Sequence, residues 1–192
     1  MNSEIFQNTY QHFLLNEEDI KQIASFHKKK TYAKDDIILA EGDVLDAYYL
    51  LEKGVVRAFV RDMDNNDITT EFFIDNDIVI IPSSLFQQVA SQETLQALTD
   101  CEVWEIKYDD FQEVFRSIPG FAEWGRLWFT YQLFTVKQRS LDMITQSATN
   151  RYLKLIKEKP QILQTVPLKF IASFLGITDT SLSRIRKEIV KA

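Results

Sequence analysis

Near the end of the chain, Thr180, Ser181, Ser183, Arg184 and Lys187 concentrate hydroxyl groups and fixed positive charge in one short stretch. Such side chains donate hydrogen bonds to phosphate oxygens, and an arginine also offers a planar fork of donors that matches the edge of a guanine. At about 100° per residue on a helix, Thr180, Arg184, Lys187 and Lys191 share one side, flanked by Ser181 and Ser183, while Leu182, Ile185 and Ile189 form the opposite stripe. The chemistry this pattern suits is the grip of a polyanion. An ordinary amphipathic hairpin with a solvated basic face is the blander reading.

Something must hold that face outward, and residues 166–190, VPLKFIASFLGITDTSLSRIRKEIV, contain the parts to do so. Pro167 is favourable at the first helical position because its ring presets φ and its missing N–H has no helical partner there. Leu168, Ile171, Ala172 and Leu175 recur at helical spacing, and Gly176 supplies the left-handed residue that ends such a helix. Thr178 then caps a second helix running from Asp179 to about Val190. A small residue where two helices cross, a glycine turn and an apolar stripe on the second helix make a helix-turn-helix layout.

Charge separates this segment from the rest. Residues 151–192 hold nine Lys or Arg against three Asp or Glu, whereas residues 1–150 hold 13 against 25. The whole-chain net charge of −6 argues against nucleic acid, but the local excess of positive charge is the quantity that matters for phosphate contact.

Length and composition, 192 residues and 45% hydrophobic, suit one sizeable domain plus a small one. No apolar run is long enough to span a membrane and the N-terminus has no signal-like core, so the expected location is cytoplasmic. The single cysteine, Cys101, sits in the alternating run CEVWEI and reads as a buried, inert thiol. With two histidines, His12 and His27, both expected on the surface, and one cysteine, metal and iron–sulfur chemistry lack ligands. No nucleophile with a paired base and no phosphate-cradling glycine loop appears, so no enzyme is expected.

Taken in order, residues 3–30 read as helical, with Phe6, Tyr10, Phe13 and Leu14 on one stripe, Asn16 as a cap, and Lys28, Lys29 and Lys30 at a helix end. From Thr31 the period becomes two, and short apolar runs alternate with turns such as those at Gly42, Gly54 and residues 62–66. After Lys107 a short helix and a break at Gly120 lead to a long helix over residues 121–143, where Trp124, Leu127, Trp128, Tyr131 and Phe134 form a broad face suited to a second copy of the chain. Thr149 or Asn150 caps a further helix ending near Lys159.

The segments YAKDDIILAEGDVLDAYYLLEKGVVRAFVRD, CEVWEIKYDDFQEVF and IASFLGITDTSLSRIRKEI, in this order, resemble the Crp/Fnr family of the catabolite activator protein. The resemblance implies an α+β chain: N-terminal helices and an antiparallel β-roll over residues 1–120, a long dimerisation helix over 121–147, and a helix-turn-helix over 148–192. It implies a bacterial, homodimeric, sequence-specific regulator that binds a pseudo-palindromic duplex, with RNA polymerase a further candidate partner. Motif matching puts Asp179, Thr180 and Arg184 at bases, with Asp179 alternatively serving the helix N-terminus, and puts Ser181, Ser183, Lys187 and Lys169 at phosphates.

Two departures stand out. Family members that bind cyclic nucleotide resemble one another in a Gly-Glu pair followed by Arg-Ser or Arg-Thr, but here the region reads Asp77-Ile78-Val79-Ile80-Ile81-Pro82 and then Ser91-Gln92-Glu93-Thr94. No cofactor is expected, neither cyclic AMP, haem nor an iron–sulfur cluster, and the roll interior is expected to be closed and apolar around Phe72, Phe73 and Ile80. Pro160 also leads almost directly to Pro167, leaving little chain for the hairpin that commonly precedes the helix-turn-helix. The alternative reading is a ligand-binding or scaffolding roll whose C-terminal helices make protein contacts.

Overall fold

The computed structural model describes residues 3–191, with side chains over 4–189. Two short helices, α1 (Ser3–Thr9) and α2 (Glu17–Ser25), precede eight strands: β1 (Lys28–Tyr32), β2 (Ile37–Leu39), β3 (Ala47–Lys53), β4 (Val56–Arg61), β5 (Asp67–Phe73), β6 (Ile78–Val79), β7 (Thr94–Ala97) and β8 (Cys101–Lys107). Helix α3 (Pro82–Gln87) interrupts them between β6 and β7. Beyond β8 come α4 (Tyr108–Ser117), α5 (Pro119–Thr145), α6 (Ala148–Glu158), α7 (Ile162–Thr165), α8 (Leu168–Phe174) and α9 (Asp179–Lys191).

The strands form two four-stranded antiparallel sheets, in the orders β1-β8-β3-β6 and β2-β7-β4-β5. The expected α+β class and antiparallel roll are what the chain adopts. β3 is buried continuously from Ala47 to Leu51, which a strand shows when both of its faces are covered. One face lies in the roll; on the other, the Tyr48 hydroxyl meets that of Tyr10 from the end of α1 at 2.8 Å. Gly42 and Gly54 sit at φ of +91° and +120°, the turn conformations expected of them.

Several local expectations fail for identifiable reasons. Lys28–Lys30 do not end a helix: they open the edge strand β1, where Lys29 pairs with Glu52 (2.8 Å) and Glu102 (2.6 Å) and Lys30 with Glu105 (2.8 Å). Acidic groups on β3 and β8 neutralise Lys29 and Lys30, and lysines on an edge strand deter stray pairing. Phe13 and Leu14 are exposed, because α1 stops at Thr9 and the stripe is never completed. His27 is buried, not at the surface: its Nδ1 lies 2.9 Å from the Ile23 carbonyl and its Nε2 2.9 Å from the Tyr10 hydroxyl. Gly120 is no break but lies in the first turn of α5, where a Cβ would come within 2.3 Å of the Leu14 carbonyl oxygen. Ser147, not Thr149 or Asn150, caps α6 by accepting from the Asn150 N–H at 3.1 Å.

Two apolar cores result. The larger fills the roll and runs under α1, α2, α4 and the start of α5. The smaller joins α6–α9 to Val55, Phe72 and Leu98 of the roll. Phe73 and Ile80 therefore line the roll interior as expected, whereas Phe72 points out of it, 5.1 Å from the ring of Phe174.

Candidate nucleic-acid interface

Helix α8 ends in a turn that leaves little freedom in how α9 departs from it. Gly176, at φ +66°, donates its N–H to Ser173 O (3.0 Å), and Ile177 N–H returns to Ala172 O (3.0 Å). These two bonds make a Schellman cap. Arg151 of α6 adds a guanidinium donor to the Leu175 carbonyl at 2.9 Å, so the turn is held from outside as well.

Thr178 caps α9, its Oγ1 accepting from Ser181 N–H at 3.2 Å. Behind α9, Leu182 is fully buried and Ile185 is 8% exposed, in the same core as Ile171, Ala172 and Leu175 of α8. With that stripe fastened, Asp179, Thr180, Ser183, Arg184 and Lys187 are all exposed on the outer side. Lys169 is exposed on α8, its ammonium 4.9 Å from the Phe170 ring. Ser181 is less available: its hydroxyl lies 3.0 Å from Thr178 Oγ1, within the cap. The side chain of Lys191 lies outside the described residues. An exposed helix face rich in donors and free of carboxylates beyond its first turn, apart from Glu188, can accept phosphate and base edges.

The chain preceding this unit is compact. Between Pro160 and Pro167 the only regular element is the single turn α7. Lys154 of α6 reaches Asp142 of α5 at 2.6 Å, and Lys159 reaches Asp77 in the roll at 2.7 Å.

In the roll, the region where a cyclic phosphate would need cationic donors offers the opposite. From Asp62 to Phe115 there is no arginine. Ile80 and Ile81 are buried, Ser91 Oγ is engaged with the backbone of Glu93, and the Glu93 carboxylate accepts from the Thr70 hydroxyl. An anionic nucleotide would meet the Glu93 carboxylate there, and Arg139 of α5, which interacts with Glu93, is already engaged with the Thr70 and Phe174 carbonyls, so these residues do not fit one.

Residues 29–117 match the cyclic nucleotide-binding domain family. The chain is similar over 95% of its length to the catabolite activator protein of Thermus thermophilus, with a TM-score of 0.61, 20% identity and 87% of that chain covered. The chain has the Crp/Fnr fold. At 20% identity the likeness is one of fold. The anaerobic regulatory protein of Haemophilus influenzae is 24% identical over 108 residues, 56% of this chain and 41% of the relative. A voltage-gated inwardly rectifying potassium channel of Gallus gallus is 30% identical over 109 residues, 55% of this chain and 9% of the channel. The chain thus spans less than half the length of either relative. No helix among the described residues is long and apolar enough to cross a membrane.

Two residues that hold α8 from the side of the roll carry no motif in the sequence. Arg57, only 2% exposed in β4, and Arg139 of α5 both contact α8. The one visible signal is an arginine inside the apolar run VVRAFV, a position where a charge must find partners if it is buried.

Proposed function

We propose that this chain is a dimeric, sequence-specific DNA-binding transcription regulator whose roll does not take a cyclic nucleotide. The observation that carries the reading is the outward face of α9, where Thr180, Ser183, Arg184 and Lys187 stand exposed over a stripe buried against α8. A helix held this way can enter a major groove, with Arg184 forming a bidentate contact to guanine and Lys187 and Ser183 setting register on phosphates. In this reading Asp179 and Thr180, exposed at the start of the helix, contact base edges, and Lys169, exposed on α8, contacts the backbone.

The second element of the reading is α5. Leu127, Tyr131, Phe134, Gln138 and Leu141 alternate steps of four and three, the spacing of a coiled-coil seam, and its four apolar members are 41%, 67%, 65% and 40% exposed. A second copy paired along this seam would bury them and present two recognition helices to two half-sites about one helical turn apart. As in other regulators of this architecture, no catalytic step is required.

The test is a mobility shift with a pseudo-palindromic duplex selected from random sequence. Arg184→Ala should relax one base position in each half-site, at about 1–3 kcal/mol of lost discrimination. Equal affinity for selected and random duplex would defeat the specificity. If Lys187→Gln leaves DNA association unchanged, the C-terminal helices serve protein contacts and the roll is a scaffold.

A further inference from the structure

Helix α8 is gripped on two sides. Ile171, Ala172 and Leu175 face α9, while Phe170, Ser173 and Phe174, at i, i+3, i+4 spacing, face β4 and β5 of the roll. Two guanidinium groups close that second contact. Arg57 lies between the rings of Phe59 and Phe170, 3.9 and 3.6 Å from their centroids, with Nη2 bonded to Asp67 (2.8 Å) and Gln96 (2.8 Å). Arg139 lies 3.9 Å over the Phe174 ring and donates to the carbonyls of Thr70 in β5 and of Phe174 at the end of α8 (3.3 Å). Between them, Ser173 Oγ accepts from the Thr69 N–H at 3.2 Å and lies 3.1 Å from the Thr69 hydroxyl.

Each arginine therefore stacks on one phenylalanine of α8: Arg57 gives Nε and Nη2 to the roll while its Nη1 is buried without a partner among the described residues, and Arg139 donates to backbone carbonyls. Arg139 alone joins three parts: it is rooted in the helix with the exposed seam and touches both a roll strand and α8. Since α8 packs directly against α9, whatever fixes α8 also fixes the direction of the recognition face.

We propose that Arg57 and Arg139 are positioning residues that set the direction of the recognition helix by clamping α8 to β4 and β5, so that two copies read half-sites at one separation without a ligand. The inference rests on the DNA-binding reading above. A planar guanidinium on an aromatic face with in-plane hydrogen bonds resists sliding and rotation, which a methylene stem does not. The clamp thus pre-organises the recognition unit and spares the complex the ordering of a swinging domain.

The experiment uses the full chain and a series of duplexes whose half-site separation varies by single base pairs. Wild-type protein should prefer one separation at least tenfold over its neighbours. Arg57→Gln/Arg139→Gln should keep contact with a single half-site but flatten that preference; an unchanged preference in the folded variant overturns the proposal. A merely structural role would lower stability without moving the preferred separation. If the double variant fails to fold, Thr69→Cys/Ser173→Cys decides. Oxidised, this cross-link should retain wild-type affinity and spacing preference, and loss of binding that returns on reduction shows that the clamped arrangement is not the reading one. Cys101 is buried and stays out of the cross-link. Amide exchange separates the two ideas. Should no duplex bind, the DNA reading falls, yet exchange across α8 at least tenfold faster in Arg139→Gln would still support the clamp, and unchanged exchange would refute it.

Discussion

Leu182 has no contact with solvent, yet the outward aim of Arg184 depends on it. Leu182→Ala should destabilise the C-terminal unit by roughly 2–5 kcal/mol through lost burial and the cavity left behind. Thermal unfolding and DNA affinity should fall together, whereas Arg184→Ala should leave unfolding unchanged. His27 makes a prediction of a different kind. Burial pulls its pKa down to about 4, against the raising effect of the Ile23 carbonyl bond. The unfolded chain, with an ordinary histidine near 6.5, then binds more protons between pH 4 and 6.5. Stability contributed by the neutral ring is complete above that window and falls as the pH drops through it, by about 3 kcal/mol in all. Denaturant titrations at pH 7 and pH 4.5 should show a difference that shrinks in His27→Gln. Arg57 illustrates how a residue's role can be hidden in sequence: nothing adjacent to it in the chain reveals Phe170 as its partner more than a hundred positions away.

At the scale of elements, α5 behaves as two helices in one. Its first turns are pinned to the roll, with Gly120 against the Leu14 backbone and the Trp124 indole N–H donating to Thr9 O at 2.8 Å. Its later turns leave Tyr131, Leu133, Phe134, Val136 and Ile144 exposed. A lone water-facing apolar helix of this kind is unusual for a monomer. Leu127→Ser/Phe134→Ser should shift sedimentation from dimer to monomer with the roll still folded, and should weaken operator binding tenfold or more because each half-site must then be bound independently. An unaltered dimer would move the pairing off the seam. The helix-turn-helix was the most legible element, since a cap at Thr178, a turn glycine and two apolar stripes all follow from local rules. The start of β1 was the least: three lysines in a row suit a helix end as well as an edge strand, and only Glu52, Glu102 and Glu105 on neighbouring strands decide between them.

For the molecule as a whole, charge segregation sets how binding should respond to salt. On the DNA-binding reading proposed above, an acidic roll would repel a duplex and the basic C-terminal unit attract it, limiting approach to one face. The logarithm of affinity should fall linearly with that of salt concentration, with a slope near −0.9 per phosphate neutralised. Lys187→Gln should reduce the slope by about 2 in a dimer, one for each subunit, while changing affinity alike for selected and random sequence. A slope unaffected by Lys187→Gln would remove that residue from the backbone contacts.

Period, turn residues and caps act over a few positions, so the amino-acid sequence by itself determined the roll, the long helix and the outward face of α9, together with the missing phosphate arginine. Tertiary structure alone decided that His27 is buried against Tyr10, that Phe72 faces the C-terminal unit and that Arg57 and Arg139 grip α8. Those outcomes depend on which surfaces meet across long separations in the chain. A buried charge or ring accepts its place only when partners from several elements arrive there together.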